Sequence, residues 1–105
     1  MATKQIAEVI ISDTGVAYHR ANGQVEAVDW ADLQTVIIEI TNDGPFFPDV
    51  YWLLIGDHGG CLIPQGVEGE DVLADRLLEM PGFNHALFSD AMSSVSNQRF
   101  LCWQR

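Results

Sequence analysis

A hairpin signal near the start of the chain constrains the fold more than any other part of the sequence. Residues 16–21 and 24–29 each alternate in side-chain character, and Asn22-Gly23 stands between them. Strict alternation is typical of a strand with one buried face, and an Asn-Gly pair supplies the positive φ angles of a two-residue type I′ turn. The sequence therefore predicts an antiparallel β-hairpin closed by a type I′ turn.

Five further segments read as strands because they are rich in β-branched and aromatic residues. Such side chains lose χ1 freedom in a helix and fit a pleated surface, and a proline ends the fourth of these segments. A loop containing one glycine and two prolines is predicted between the second and third. The segments are residues 5–12, 34–42, 50–56, 61–64 and 99–103, and the loop is 43–49.

Two helices are predicted in the last third of the chain. Residues 70–80 carry apolar side chains at helical spacing (Val72, Leu73, Leu77 and Met80), and Pro81-Gly82 ends them. Asn84 is a candidate cap for a second helix that ends near Asn97, with an apolar face of Leu87, Phe88, Ala91, Met92 and Val95. With six or seven strands, this pattern predicts one α+β domain over residues 1–105, built on a strongly bent antiparallel sheet.

The charge balance limits the partners of this domain. Fifteen acidic residues face five Lys and Arg, and the formal net charge is −10. Nucleic acids and anionic membranes carry the same sign of charge, so we expect neither as a main ligand. A protein partner with a basic surface is favoured instead. Much of the acidic charge falls at turns and helix starts, where carboxylates also stabilise local structure.

The sequence carries no targeting or spanning segment, and we expect a cytoplasmic protein without a cofactor. No apolar run reaches the length of a secretory core or of a membrane span. Cys61 and Cys102 stand in apolar surroundings, which is typical of buried, reduced thiols.

Catalytic signals are weak. Asp57, His58 and Cys61 place an acid, an imidazole and a thiol within five residues, so a small hydrolase or metal-dependent enzyme is the alternative function. A β-turn explains this segment more simply.

The acidic residues around Gly69 resemble a loose cation-binding loop, but they lack EF-hand spacing, and an exposed helix start explains them as well.

The leading functional hypothesis is a non-catalytic protein-interaction module of accessory or immunity type. Its candidate partner-binding residues combine carboxylates with apolar anchors in and near the proline-flanked loop. Packing of the two phenylalanines onto the domain itself is the alternative. Homodimerisation through a free edge of the strand at 50–55 also stays open. The candidate residues are Asp43, Phe46, Phe47, Asp49 and Asp57.

Four short motifs are spread along the chain: Trp30-Ala31-Asp32-Leu33, Gly44-Pro45-Phe46, Pro64-Gln65 and Leu78-Glu79-Met80-Pro81-Gly82-Phe83. Together they resemble the pattern of a group of small, largely uncharacterised bacterial proteins. The resemblance implies a pleckstrin-homology-like fold, in which a bent sheet forms a barrel and a C-terminal helix plugs it. The strand predicted after Asn97 departs from that pattern. Lipid binding, suggested by this fold analogy alone, requires a basic patch that five scattered basic residues do not make.

Overall fold

The structure of the chain, a computed structural model, describes residues 6–42 and 49–105. Its α+β class is the one that the sequence predicts. Within these described residues there are two helices of nine residues each, and neither is long and apolar enough to cross a membrane. In chain order the elements are β1 (Glu8–Ile11), β2 (Gly15–His19), β3 (Val25–Asp29), β4 (Leu33–Thr41), β5 (Asp49–Gly56), β6 (Gly60–Pro64), α1 (Glu70–Leu78), α2 (His85–Ser93) and β7 (Gln98–Gln104).

The described strands form two antiparallel sheets, where the sequence predicts a single bent one. One sheet has the order β1-β2-β3 and the other has the order β6-β5-β4-β7. A side chain links them at the edges of β3 and β6, because Oε1 of Glu26 accepts a hydrogen bond from the backbone N–H of Leu62 at 2.9 Å. The same carboxylate accepts from Nε of Arg20 at 2.9 Å. Among the described strands the backbone ladder does not continue across this junction, so they do not close into a barrel.

The predicted hairpin is confirmed, but its turn is of another type. β2 pairs with β3, with Val16 opposite Val28. The loop has three residues, because the N–H of Arg20 donates to the carbonyl of Gln24 at 2.8 Å. Within this loop only Gly23 takes a left-handed backbone angle (φ 90°), whereas a type I′ turn also requires a left-handed angle at the residue before it. The glycine therefore serves a three-residue loop, and the prediction of a two-residue turn is wrong.

The core lies between the two sheets and is closed by both helices. Trp52 of β5 stands in its middle, stacked on Phe88 of α2 at a centroid distance of 5.7 Å. One cluster of buried side chains joins both sheets, α1 and α2. Three residues assigned to apolar helix faces lie outside this core. Met92 is 39% exposed, Val72 is 55% exposed and Val95 is 70% exposed, the last because α2 ends at Ser93 instead of continuing to Asn97.

The strand at 50–55 is not an edge strand. It belongs to β5, which is hydrogen-bonded to β4 on one side and to β6 on the other. Its backbone groups are therefore already paired, and the homodimer through its free edge, which the sequence leaves open, has no basis in this sheet. The edges of the four-stranded sheet are β6 and β7.

Candidate functional site

The predicted partner-binding residues do not form one described cluster. Asp49 is the first residue of β5, and Asp57 follows the last. Eight residue steps in extended conformation separate them by roughly 26 Å. The structure therefore does not bring these two carboxylates together. Asp43, Phe46 and Phe47 lie outside the described residues.

The segment with an acid, an imidazole and a thiol is not arranged for catalysis. Nδ1 of the exposed His58 lies 3.2 Å from a carboxylate oxygen of Asp32. Cys61 points into the core, and burial, together with the charge of Glu26, raises the pKa of its thiol to about 12. A thiol with that pKa keeps its proton at neutral pH and is a poor nucleophile. Among the described residues no group of three His, Cys, Asp or Glu side chains could hold a metal ion.

An apolar groove runs between β1 and the start of α1. We call it the β1–α1 groove; its volume is about 300 Å³, and it is lined by Val9, Ile10, Ile11, Gly69 and Val72. Val9 is buried and forms the floor, whereas Ile10 is 46% exposed and Val72 is 55% exposed. Ile10 and Val72, two aliphatic side chains on neighbouring elements, are therefore both about half exposed in the same groove.

Gly69 makes the groove by letting α1 begin directly against β1. The backbone N–H of Val9 donates to the carbonyl of Glu68 at 2.8 Å. Gly69 itself has φ 87°, and a Cβ at this position would lie 2.2 Å from the carbonyl oxygen of Val9. Only glycine fits both the angle and the approach. The spacing between strand and helix is thus determined by one residue.

Glu70 fixes the orientation of the same helix start. Its carboxylate is buried, with one oxygen 2.8 Å from Nε1 of Trp52 and the other 3.1 Å from the backbone N–H of Gly66. Both oxygens accept from donors of the protein itself. This carboxylate therefore serves the fold, and the resemblance of the segment to a cation-binding loop has a structural explanation.

Carboxylates flank the apolar groove. Asp75 follows Val72 by three residues on α1, which places the two side chains next to each other along the helix. Glu68 lies before the helix, where its backbone forms an isolated parallel β-bridge with Glu8 of β1. Glu68 and Asp75 are exposed, and Glu8 is partly exposed.

The arginines of the described residues are engaged elsewhere. Arg20 pairs with Glu26, and Arg99 pairs with Glu39 at 2.7 Å. The other two converge on one tryptophan: the guanidinium of Arg76 lies 4.8 Å from the ring centroid of Trp30, and that of Arg105 donates to its carbonyl at 3.3 Å. None of these four guanidinium groups forms an ion pair with Glu8, Glu68 or Asp75.

Sequence reasoning missed this groove because Val72 fits the apolar stripe of α1. The neighbouring Leu73 and Leu77 are fully buried, and a helix of nine residues has room for only a narrow core-facing stripe. The available signal was Asp75, which lies one helical turn after Val72 on the same side of α1. An aliphatic residue in that setting faces solvent or a partner.

Comparison of the chain with models of protein families, with curated proteins and with solved structures found no match. The resemblance to small bacterial proteins with a pleckstrin-homology-like fold therefore stays a prediction.

Proposed function

We propose that this protein is a non-catalytic interaction module whose β1–α1 groove binds a basic segment of a partner protein. The observation that carries the proposal is the pair of half-exposed aliphatic side chains, Ile10 and Val72, held together between flanking carboxylates. An apolar anchor surrounded by charge of one sign suits a segment in which aliphatic and basic residues alternate.

The size of the groove supports a peptide segment over a cofactor. A volume of about 300 Å³ is at the small end of the range for ligand pockets and takes one or two aliphatic side chains. Covering half of a valine or isoleucine side chain contributes on the order of 1 kcal/mol. Two such anchors give weak binding by themselves, so attraction between the carboxylates and basic side chains has to supply part of the affinity and raise the association rate.

The proposal includes an accessory or immunity-type role in the cytoplasm, in which this chain neutralises a basic protein. Such a role requires a matching surface and no chemistry, and a net charge of −10 supports it. We also propose that the fold of this chain is related to the pleckstrin-homology-like barrel. Support for that relation comes from two antiparallel sheets that share one core and are linked by Glu26 between β3 and β6.

The test uses a synthetic ten-residue peptide of alternating Lys and Leu and a control peptide of alternating Lys and Ser, with binding followed by fluorescence anisotropy. We expect the Lys-Leu peptide to bind more tightly and to lose affinity as salt is raised. Val72→Ser should weaken binding about tenfold, since it removes one anchor. The matched control is Val25→Ser, at a valine that is 54% exposed on β3.

Backbone chemical shifts measured during the titration locate the peptide. Changes concentrated at β1 and the first turns of α1 support the proposal. Equal affinity of the Val72→Ser and Val25→Ser variants, or shift changes centred on another surface, would overturn it.

A further inference from the structure

The outer face of the four-stranded sheet carries an unbroken row of apolar side chains. The register places Ile37 of β4 opposite Leu53 of β5, and Leu53 opposite Leu62 of β6. On the other side, Ile37 lies opposite Leu101 of β7. The row therefore crosses every strand of the sheet. We call it, with the rows on either side of it, the outer sheet face.

The burial pattern shows which face this is. Along β4 and β5 the residues between those of the row, such as Val36, Ile38, Trp52 and Leu54, are buried in the core. The members of the row point the opposite way and are partly or fully exposed, with Leu101 at 45%. The described helices pack on the core side, where Phe88 of α2 stacks on Trp52.

Polar residues such as Thr35, Glu39 and Arg99 stand on the rows beside this one, but the row itself is apolar across all four strands. An antiparallel sheet with a solvated side normally alternates apolar residues inward with polar residues outward. The apolar row is the part of the outer sheet face that departs from this pattern. Exposed Ile55 on the neighbouring row extends the apolar area.

We propose that a second copy of this chain covers the outer sheet face, so that two four-stranded sheets pack face to face about a two-fold axis. This inference is independent of the groove and its basic partner, because it concerns another surface. Sheets stacked in this way lie about 10 Å apart with interdigitated side chains. A two-fold arrangement brings the apolar row of one copy against that of the other.

The charge on the face favours a second copy over a basic partner. Its neighbouring row contains Arg99 and Glu39, which pair with each other at 2.7 Å. The middle of the face is thus neutral in itself and offers a basic protein no uncompensated carboxylate. The apolar row itself carries no charged residue, and a core depleted of charge is typical of homodimer interfaces.

The area of the face is close to what a specific dimer needs. The strands β4, β5, β6 and β7 have nine, eight, five and seven residues. At about 3.3 Å per residue and 4.8 Å per strand, each copy contributes roughly 460 Å², or about 900 Å² for the pair. Specific interfaces begin near that total, so we expect a dimer that dissociates at micromolar concentrations.

Salt distinguishes this association from binding of a basic partner. Two chains of net charge −10 repel each other, and screening by salt reduces the repulsion. The dimer should therefore become tighter as salt rises, while a complex with a basic peptide becomes weaker. The two proposals can fail separately.

The experiment is sedimentation equilibrium of the whole chain over a concentration series at low and high salt. We expect a monomer–dimer equilibrium for the native sequence. Leu53→Glu, at the centre of the row, should raise the dissociation constant at least about 30-fold. Val25→Glu, which adds the same charge to an exposed valine of the other sheet, should leave it within about twofold.

Leu101→Glu keeps the test decisive if Leu53→Glu does not fold, since Leu101 is 45% exposed on an edge strand. Loss of the dimer in the variants of the row, with retention in Val25→Glu, supports the proposal. A native chain that stays monomeric at millimolar concentration overturns it, as does a dimer that Leu101→Glu leaves unchanged. A dimer that weakens as salt rises also overturns it.

Discussion

Replacing Glu70 by alanine tests whether its buried carboxylate holds α1 in place. The side chain accepts two hydrogen bonds, at 2.8 Å from Trp52 and at 3.1 Å from Gly66. Hydrogen bonds to charged groups contribute about 1.5–3 kcal/mol each, and the buried indole N–H would be left without an acceptor. We therefore expect Glu70→Ala to lower the free energy of unfolding by about 3 kcal/mol. In a domain of this size that corresponds to a fall in Tm of roughly 10–20 °C.

Asp71→Ala is the matched control for this substitution. Asp71 lies in the same first helical turn and is exposed, so its removal costs only the interaction with the helix dipole, about 0.3–1 kcal/mol. Urea unfolding followed by tryptophan fluorescence and circular dichroism measures both variants. A loss for Glu70→Ala that equals the loss for Asp71→Ala would refute the reasoning.

A double-mutant cycle isolates the contribution of the hydrogen bond between Trp52 and Glu70 from the other effects of removing Glu70. Trp52→Phe removes the donor and keeps a ring in the core. If the hydrogen bond acts as described, the losses of Glu70→Ala and Trp52→Phe should sum to more than the loss of the double variant, by about 1–2 kcal/mol. Strictly additive losses would show that the two side chains stabilise the fold separately.

Three further changes have expected outcomes. Asn84→Ala removes the side-chain oxygen that accepts from the N–H of Leu87 at 3.0 Å, and should cost about 1 kcal/mol in a thermal melt, while Asn84→Asp should cost little. Gly69→Ala combines a left-handed backbone angle with a clash against Val9, and should cost more than about 2 kcal/mol and speed the hydrogen exchange of the Val9 amide. The Cys61 thiol has its pKa raised from 9.0 to about 12, so the unfolded chain loses this proton first and stability should fall as pH rises from 9 to 12. Cys61→Ala should flatten that fall, and iodoacetamide should label the native thiol far more slowly than the thiol in urea.

Local signals in the sequence predicted most of the elements of this fold. The alternation around Gly23 gave a real hairpin, and Asn84 caps α2 with its side chain as expected. These features depend on a few neighbouring residues, which is why a single sequence reveals them. The turn type was wrong because the same dipeptide suits both a two-residue and a three-residue loop.

Long-range arrangement could not be predicted in the same way. That β4 lies between β5 and β7 depends on a pairing across 60 residues, which no local pattern reveals. The outer sheet face was missed for a related reason: a run such as 52–55 shows that a strand is apolar, but not that one of its faces has no described element packed on it. The groove depends on Gly69, and the sequence alone does not show that this glycine takes a left-handed angle against β1.

The position of β7 has a consequence for the synthesis of this chain. β4 pairs with β7 across 60 residues, as between Glu39 and Arg99, whereas β5 and β6 follow β4 closely in the chain. A ribosome that adds 5–20 residues per second needs roughly 3–12 s to synthesise the residues between the paired positions of β4 and β7. During that time one edge of β4 has its backbone N–H and carbonyl groups unpaired and able to join a strand of another molecule. Protection of the nascent chain by a chaperone would matter most in that interval, and a ribosomal pause shortly before residue 98 would lengthen it.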